Sequence, residues 1–247
     1  MKMIWSLIGL TLVGGVLSLV GGLMVLAFSK QVDKFVLEMI SFAAGVMLAV
    51  ATLDLLPESL DFIEPASASK YILGGVLFLF LLERTSLWFH HHHEAHEKHA
   101  HIFPIWLGDT MHNFIDGIVI AVAYLTNPTL GVATTLAVAA HELPQEIADF
   151  SIYLRAGIKK LRIIWLNLLS SLATVVGAVS VFLMRERIEY LTGPLLAFTT
   201  GMFLYIALAD LIPELHLKSN KLKMMRQTIS FALGIVCVFG MGLLISE

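Results

Sequence analysis

Residues 41–60 read SFAAGVMLAVATLDLLPESL, and residues 197–216 read AFTTGMFLYIALADLIPELH. At a constant offset of 156, Phe42/Phe198, Gly45/Gly201, Leu48/Leu204, Ala51/Ala207, Asp54/Asp210, Leu55/Leu211, Pro57/Pro213 and Glu58/Glu214 coincide. Two apolar helices share Leu, Gly and Phe by chance. A D-L-[LI]-P-E at the same end of both is much harder to obtain that way. What the match means depends on how often the chain crosses a membrane between the copies.

The rest of the chain is built for lipid. Of its 247 residues, 57% are hydrophobic and 14% charged, with a mean hydropathy of +0.83, whereas a soluble domain carries about 25% charged residues. Apolar runs of about 20 residues, the length a helix needs to cross the hydrocarbon core, recur from end to end. Eight spans are predicted, over residues 3–28, 35–56, 71–89, 103–125, 130–154, 162–184, 191–213 and 227–246, in one all-α integral membrane domain covering 1–247. The first run is too long for a signal peptide and has no A-x-A-like cleavage site, so it reads as span one. A single cysteine, Cys237, excludes a disulfide framework and a thiolate metal site. A formal net charge of −3 gives no support for a nucleic-acid partner.

On this count the matched copies are spans two and seven, which cross in opposite directions. That is an inverted repeat, spans 1–3 mirrored by 6–8 around a central 4/5 pair, and it places a substrate site near the midplane. Loop charge sets the orientation. Lys2, Lys70, Arg185 and Arg187 lie on the side of the termini; the other twelve of the 16 basic residues lie opposite. By the positive-inside rule both termini face outside.

Spans four and five carry the chemistry. In LGDTMHNFIDGIVIA (107–121), His112 and Asp116 are i,i+4 on one helix face, with Asn113 adjacent and Asp109 one turn earlier. In AVAAHELPQEIADF (137–150), His141 and Gln145 form one i,i+4 pair and Glu142 and Glu146 another, with Asp149 continuing the first stripe. Ionisable groups at mid-bilayer cost on the order of 2.5–3.5 kcal/mol each, so something must compensate them. Imidazole with carboxylate suits a divalent transition metal, and a bound dication lets the carboxylates stay ionised. Pro144 is expected to bend its helix and free the Ala140 carbonyl.

With these residues in view, the chain resembles the ZIP (Zrt/Irt-like) family of divalent-metal transporters. The resemblance rests on His112-Asn113-Phe114-Ile115-Asp116-Gly117 and His141-Glu142-Leu143-Pro144-Gln145-Glu146, which look like the family's HNFxDG and HExPxE motifs in their LIV-1-like form. It implies one metal position at His112, Asp116, His141 and Gln145, and a neighbouring one at Asn113, Asp116, Glu142 and Gln145; Glu146 is a further candidate ligand. There are two departures. Gln145 stands where LIV-1-like members often have His. Span six offers Asn167, Ser170, Ser171 and Thr174 where members with a two-metal centre add a carboxylate. His141, in place of the glutamate of broader-specificity relatives, favours zinc.

The expected function is uptake of a divalent metal into the cytoplasm by alternating access. Zn2+ is the foremost substrate, with Fe2+, Mn2+ and Cd2+ as further candidates. No organic cofactor and no enzymatic activity are expected, and a homodimer is left open. A bacterial plasma membrane is the expected location. Span directions order a path: Asp54 and Glu58 at an external mouth, Asp109 and Asp149 on the cytoplasmic side of the site, and Asp210, Glu214 and His216 at the internal exit. Met47 and Met202 are read as packing. The loop 90–101 holds seven histidines, His90, His91, His92, His93, His96, His99 and His101, and can capture metal without one fixed geometry. Two alternatives remain. An intramembrane zinc protease is suggested by His141-Glu142, although HExxH needs a second His where Gln145 stands; the other is a metal-gated channel or sensor.

Overall fold

The computed structural model describes residues 2–32, 35–91, 102–215 and 221–245, with side chains at 2–27, 35–84, 106–154, 156–186, 190–213, 215 and 221–240. The described residues are helical almost throughout, and none is in a strand. Helices α1 (Lys2–Gly14) and α2 (Leu19–Val32) are joined by a 3-10 turn at Val16–Ser18. Helix α3 (Val36–Ala49) continues through a π-helical turn, Val50–Leu55, into α4 (Leu56–Leu60). Then come α5 (Pro65–His91), α6 (Ile102–Thr126), α7 (Pro128–Arg155) and α8 (Lys160–Ile188). Helix α9 (Thr192–Tyr205) passes through a second π-helical turn, Ile206–Leu211, into α10 (Ile212–Leu215), and α11 (Lys221–Ile245) follows.

Among the described residues, six helical stretches are long and apolar enough to cross a membrane: Lys2–Ala27, Val36–Leu60, Pro65–Arg84, Lys160–Glu186, Thr192–Leu211 and Lys221–Gly240. Helices α6 and α7, with 25 and 28 residues, have the length but not the hydropathy, because polar side chains interrupt their centres. Large apolar side chains such as Trp5, Leu73, Leu161, Leu183 and Val236 cover the outer surface. On a multi-pass membrane protein that surface faces lipid. Met47 and Met202 lie in the buried apolar core, as packing residues do.

The two π-helical turns were not legible in the sequence. They fall on the matched segments at the same offset of 156, and Asp54 and Asp210 sit inside them. Pro57 and Pro213 follow. Each lacks an N–H to offer the carbonyl four residues back, and a π-turn is one way a helix accommodates that mismatch; such turns are frequent at functional sites. Pro144 lies inside α7, which is helical from Pro128 to Arg155 with no π-helical turn beside the proline.

Three helix pairs meet through reciprocal glycines. A β-carbon on Gly117 of α6 would lie 1.9 Å from the Thr174 carbonyl oxygen of α8, and one on Gly177 of α8 would lie 2.1 Å from that of Phe114. Gly45 and Gly234 play these parts between α3 and α11, and Gly75 and Gly201 between α5 and α9. Without side chains at the crossing, backbones pack directly, as small residues allow in membranes.

Candidate metal centre

Helices α6 and α7 are joined by one residue, Asn127, in extended conformation (φ −149°, ψ 120°). Its side chain accepts the Thr129 amide at 3.0 Å, and Pro128 takes the first helical position, where a missing N–H costs nothing. So short a connection makes the helices antiparallel neighbours. His112 lies 15 residues before Asn127 and His141 lies 14 after it. At about 1.5 Å per residue, both are about 21–23 Å from the turn, and so at one depth.

There the structure gathers four ligand atoms. One each from His112, Asp116, His141 and Glu142 lie within 4.8 Å of one another. The two Nε2 atoms are 3.1 Å apart. His141 Nε2 stands 3.2 Å from Asp116 Oδ2 and 4.0 Å from Glu142 Oε1. His112 Nε2 is 3.8 Å from the former and 3.6 Å from the latter. A tetrahedral ion with ligands at about 2.0–2.1 Å sets them about 3.4 Å apart, so five of the six edges of the group already bracket that value.

The protons are arranged for the same purpose. His141 Nδ1 lies 3.0 Å from the Ala137 carbonyl, which only accepts, so Nδ1 carries a proton and Nε2 is the ring nitrogen turned toward Asp116. Such an anchor on the far ring nitrogen is the usual companion of a metal-binding histidine. Asp116 Oδ2 and both Glu142 oxygens are buried without a hydrogen bond. Asp116, His141 and Glu142 are 2%, 1% and 0% exposed. Buried carboxylate oxygens gathered around two imidazole nitrogens call for a cation.

The other candidates are placed as follows. Asn113 donates to Asp109 Oδ1 at 3.0 Å and accepts from Thr174 Oγ1 at 2.9 Å. Gln145 donates to the same Asp109 oxygen at 3.4 Å. Both amide nitrogens therefore turn toward Asp109, while Glu142 joins Asp116 and the two histidines in the gathered set of imidazole and carboxylate atoms. Glu146 is 1% exposed, and its Oε1 accepts from Ser171 of α8 at 3.3 Å. Asp54 and Glu58 are half-buried and, with Asp61, Asn127 and Thr129, line a cavity of about 250 Å3. Asp149 is half-buried and Asp210 exposed. The side chain of Glu214, the residue His216 and the side chains of the histidine stretch 90–101 lie outside the described residues. Sequence reading missed the Ala137 anchor, although its position, one turn before His141 on the same face, was a signal. It also missed Trp106, whose Nε1 donates to the Leu166 carbonyl at 2.9 Å and fixes the α6–α8 register below the site.

Comparison with known proteins agrees with this chemistry. The family model described as ZIP Zinc transporter matches residues 102–242, which include all four gathered ligands. Zinc transporter ZIP10 of Danio rerio is 41% identical over 143 residues, covering 57% of this chain and 17% of that protein. Zinc transporter ZIP13 of Pongo abelii is 29% identical over 214 residues, 81% of this chain and 64% of that protein. Human zinc transporter ZIP4 is 40% identical over 116 residues, 46% and 17% of the two chains. The chain thus spans less than two thirds of these relatives. With a buried His/Asp/Glu centre on α6 and α7, and more than half its length matched by the model, the chain belongs to the ZIP zinc transporter family.

Proposed function

We propose that the protein is a divalent-metal uptake transporter whose principal substrate is zinc, carried from outside to the cytoplasm. The observation that carries this reading is the closure of His112, Asp116, His141 and Glu142 on one buried point within 4.8 Å. Nitrogen and oxygen ligands in tetrahedral spacing suit Zn2+. Their position halfway along two helices offsets the desolvation of an ion at the midplane. The protease alternative lacks support, since Gln145 stands where HExxH needs a histidine and, among the described residues, no third imidazole joins the group.

The same proposal takes the chain to have eight spans, α6 and α7 included, both termini outside, and an inverted repeat. Three features support the repeat. The π-helical turns recur at an offset of 156. The Gly45–Gly234 crossing has its counterpart in Gly201–Gly75. The packing of α3 on α11 mirrors that of α9 on α5, and α6 on α8 mirrors α7 on α2. Alternating access then moves one helix group against the other. In this frame Asp54 and Glu58 form the outer mouth, and Asp109, Asp149, Asp210, Glu214 and His216 the way inward. Asn113 and Gln145 orient Asp109 and can join the ion as it leaves.

The test is uptake into proteoliposomes at controlled pH with zinc, iron, manganese and cadmium in competition. Zinc is expected to accumulate and to be displaced best by cadmium, its nearest relative in ligand preference; no zinc accumulation by folded protein overturns the proposal. Deleting residues 90–101 is expected to leave at least about half of the zinc uptake rate. Histidine-rich tracts bind metal without one fixed geometry, and this one lies apart in sequence from the four gathered ligands.

A further inference from the structure

A second group of buried polar side chains lies beside the metal centre, between α6, α7 and α8, and the zinc site does not use it. Its acidic members are Asp109, Glu146 and Asp149. Each well-buried member has one polar atom tied down and one bare. Asp109 Oδ1 accepts from Asn113 and Gln145, while Oδ2 has no partner. Glu146 Oε1 accepts from Ser171, while Oε2 has none. Asn167, fully buried one turn before Ser171, donates through Nδ2 to the Ile163 carbonyl at 2.8 Å and leaves Oδ1 bare. Tyr153 is fully buried, its hydroxyl is unpartnered, and it interacts electrostatically with all three carboxylates.

The sign of what is missing is the informative part. A buried polar atom without a partner costs about 1–3 kcal/mol and is rare. Here three of the bare atoms are carboxyl and amide oxygens, which accept, and the fourth is the Tyr153 hydroxyl, which can both donate and accept. Satisfied neighbours hold each of them in place. A structural hydrogen-bond network would pair some of these oxygens with donors of its own. Oriented acceptors that outnumber the hydroxyls beside them are an arrangement that receives a positive ion.

We propose that Asp109, Glu146 and Asp149, with the Asn167 amide oxygen and the Tyr153 hydroxyl, form a second cation position made only of oxygen ligands. It would take a divalent cation that keeps part of its water shell. The three carboxylates stand wider apart than the group at His112, which alone among the described residues brings its ligand atoms within 4.8 Å. Partial hydration is ordinary for oxygen sites of small dications. The position rests on the transport reading above: it is the next stop on the side of the zinc site that the proposed orientation makes cytoplasmic. Asn113 and Gln145 stand between the two, each on a helix that supplies ligands to both. The step from imidazole to hydrated oxygen ligands trades a tight, zinc-selective hold for a looser one, which favours onward release.

Mn2+ binding to purified protein in lipid nanodiscs, read by pulsed electron paramagnetic resonance, separates the two positions. Nitrogen coupling marks an ion on His112 and His141, and its absence marks the oxygen position. Wild-type protein is expected to show both populations. The double variant His112→Ala/His141→Ala should keep only the nitrogen-free one. Asp109→Asn/Glu146→Gln, which removes charge but keeps shape, should weaken that population at least about 10-fold and leave the nitrogen-coupled one. Failure of the nitrogen-coupled signal alone counts against the zinc centre. A nitrogen-free population that is absent from wild-type and the histidine variant, or unchanged by Asp109→Asn/Glu146→Gln, overturns the second position. If that double variant does not fold, the spectra of the other two proteins decide.

Discussion

Replacing His141 with alanine is expected to abolish zinc uptake and to weaken zinc binding by more than about 100-fold. The magnitude follows from position. Losing a group that merely holds a metal ligand costs roughly 10–100-fold in affinity, and His141 is itself at the centre of the arrangement. It lies 3.1 Å from His112 and 3.2 Å from Asp116, and its Nε2 is aimed by the Ala137 carbonyl. Alanine would leave Asp116 and Glu142, already bare, facing each other around a void. Isothermal titration with zinc and vesicle uptake measure the two effects. Gel filtration and circular dichroism check that the variant is folded. Wild-type uptake by folded variant protein would remove His141 from the site.

Gly117→Leu is expected to prevent assembly of the bundle, and Gly117→Ala to destabilise it by at least about 2 kcal/mol, the middle of the range for overpacking. The first atom of any side chain at 117 meets the Thr174 carbonyl oxygen at 1.9 Å, its carbon at 2.7 Å and the Ala178 nitrogen at 3.0 Å. All three belong to backbone, which cannot rotate away as a flexible side-chain tip can. Relief requires α6 and α8 to separate. That stretches the Asn113–Thr174 hydrogen bond of 2.9 Å and shifts Asp116, the residue next to the glycine. Gly9 is the control, since nothing lies within 4 Å of a β-carbon there; Gly9→Ala should cost nothing measurable. Thermal denaturation in detergent, followed by light scattering, reads all three variants, and equal melting of Gly117→Ala and Gly9→Ala would refute the close approach.

What the sequence disclosed about the site was what periodicity and chain counting can carry. His112 and Asp116 share a face because they are four apart, and His141 meets them because Asn127 lies nearly midway between the two histidines. The choice between Glu142 and Gln145 was beyond that reach. These residues lie only about 60° apart around the helix, so periodicity alone does not separate them; packing does, and it brings Glu142 to the histidines and the Gln145 amide nitrogen to Asp109. Glu146 was obscure for the same reason: its partner, Ser171, is on a helix 25 residues away. The repeat at Asp54 and Asp210 was plain as spelling, yet nothing in the letters announced that both copies wind as π-helix. Hydropathy separated out six of the long helices, while α6 and α7 had their apolar character diluted by the residues that make them useful.

The single-residue link at Asn127 also bears on how such a chain is made. Singly, α6 and α7 would each bring several polar side chains into hydrocarbon during synthesis, at about 2.5–3.5 kcal/mol for each charged one. Joined by one residue, they have little room to be handled separately, and in the proposed eight-span topology they would enter as a hairpin with their polar faces turned inward. Such a hairpin would carry all four gathered ligands together before its neighbours arrive, with the helices least suited to lipid shielding each other.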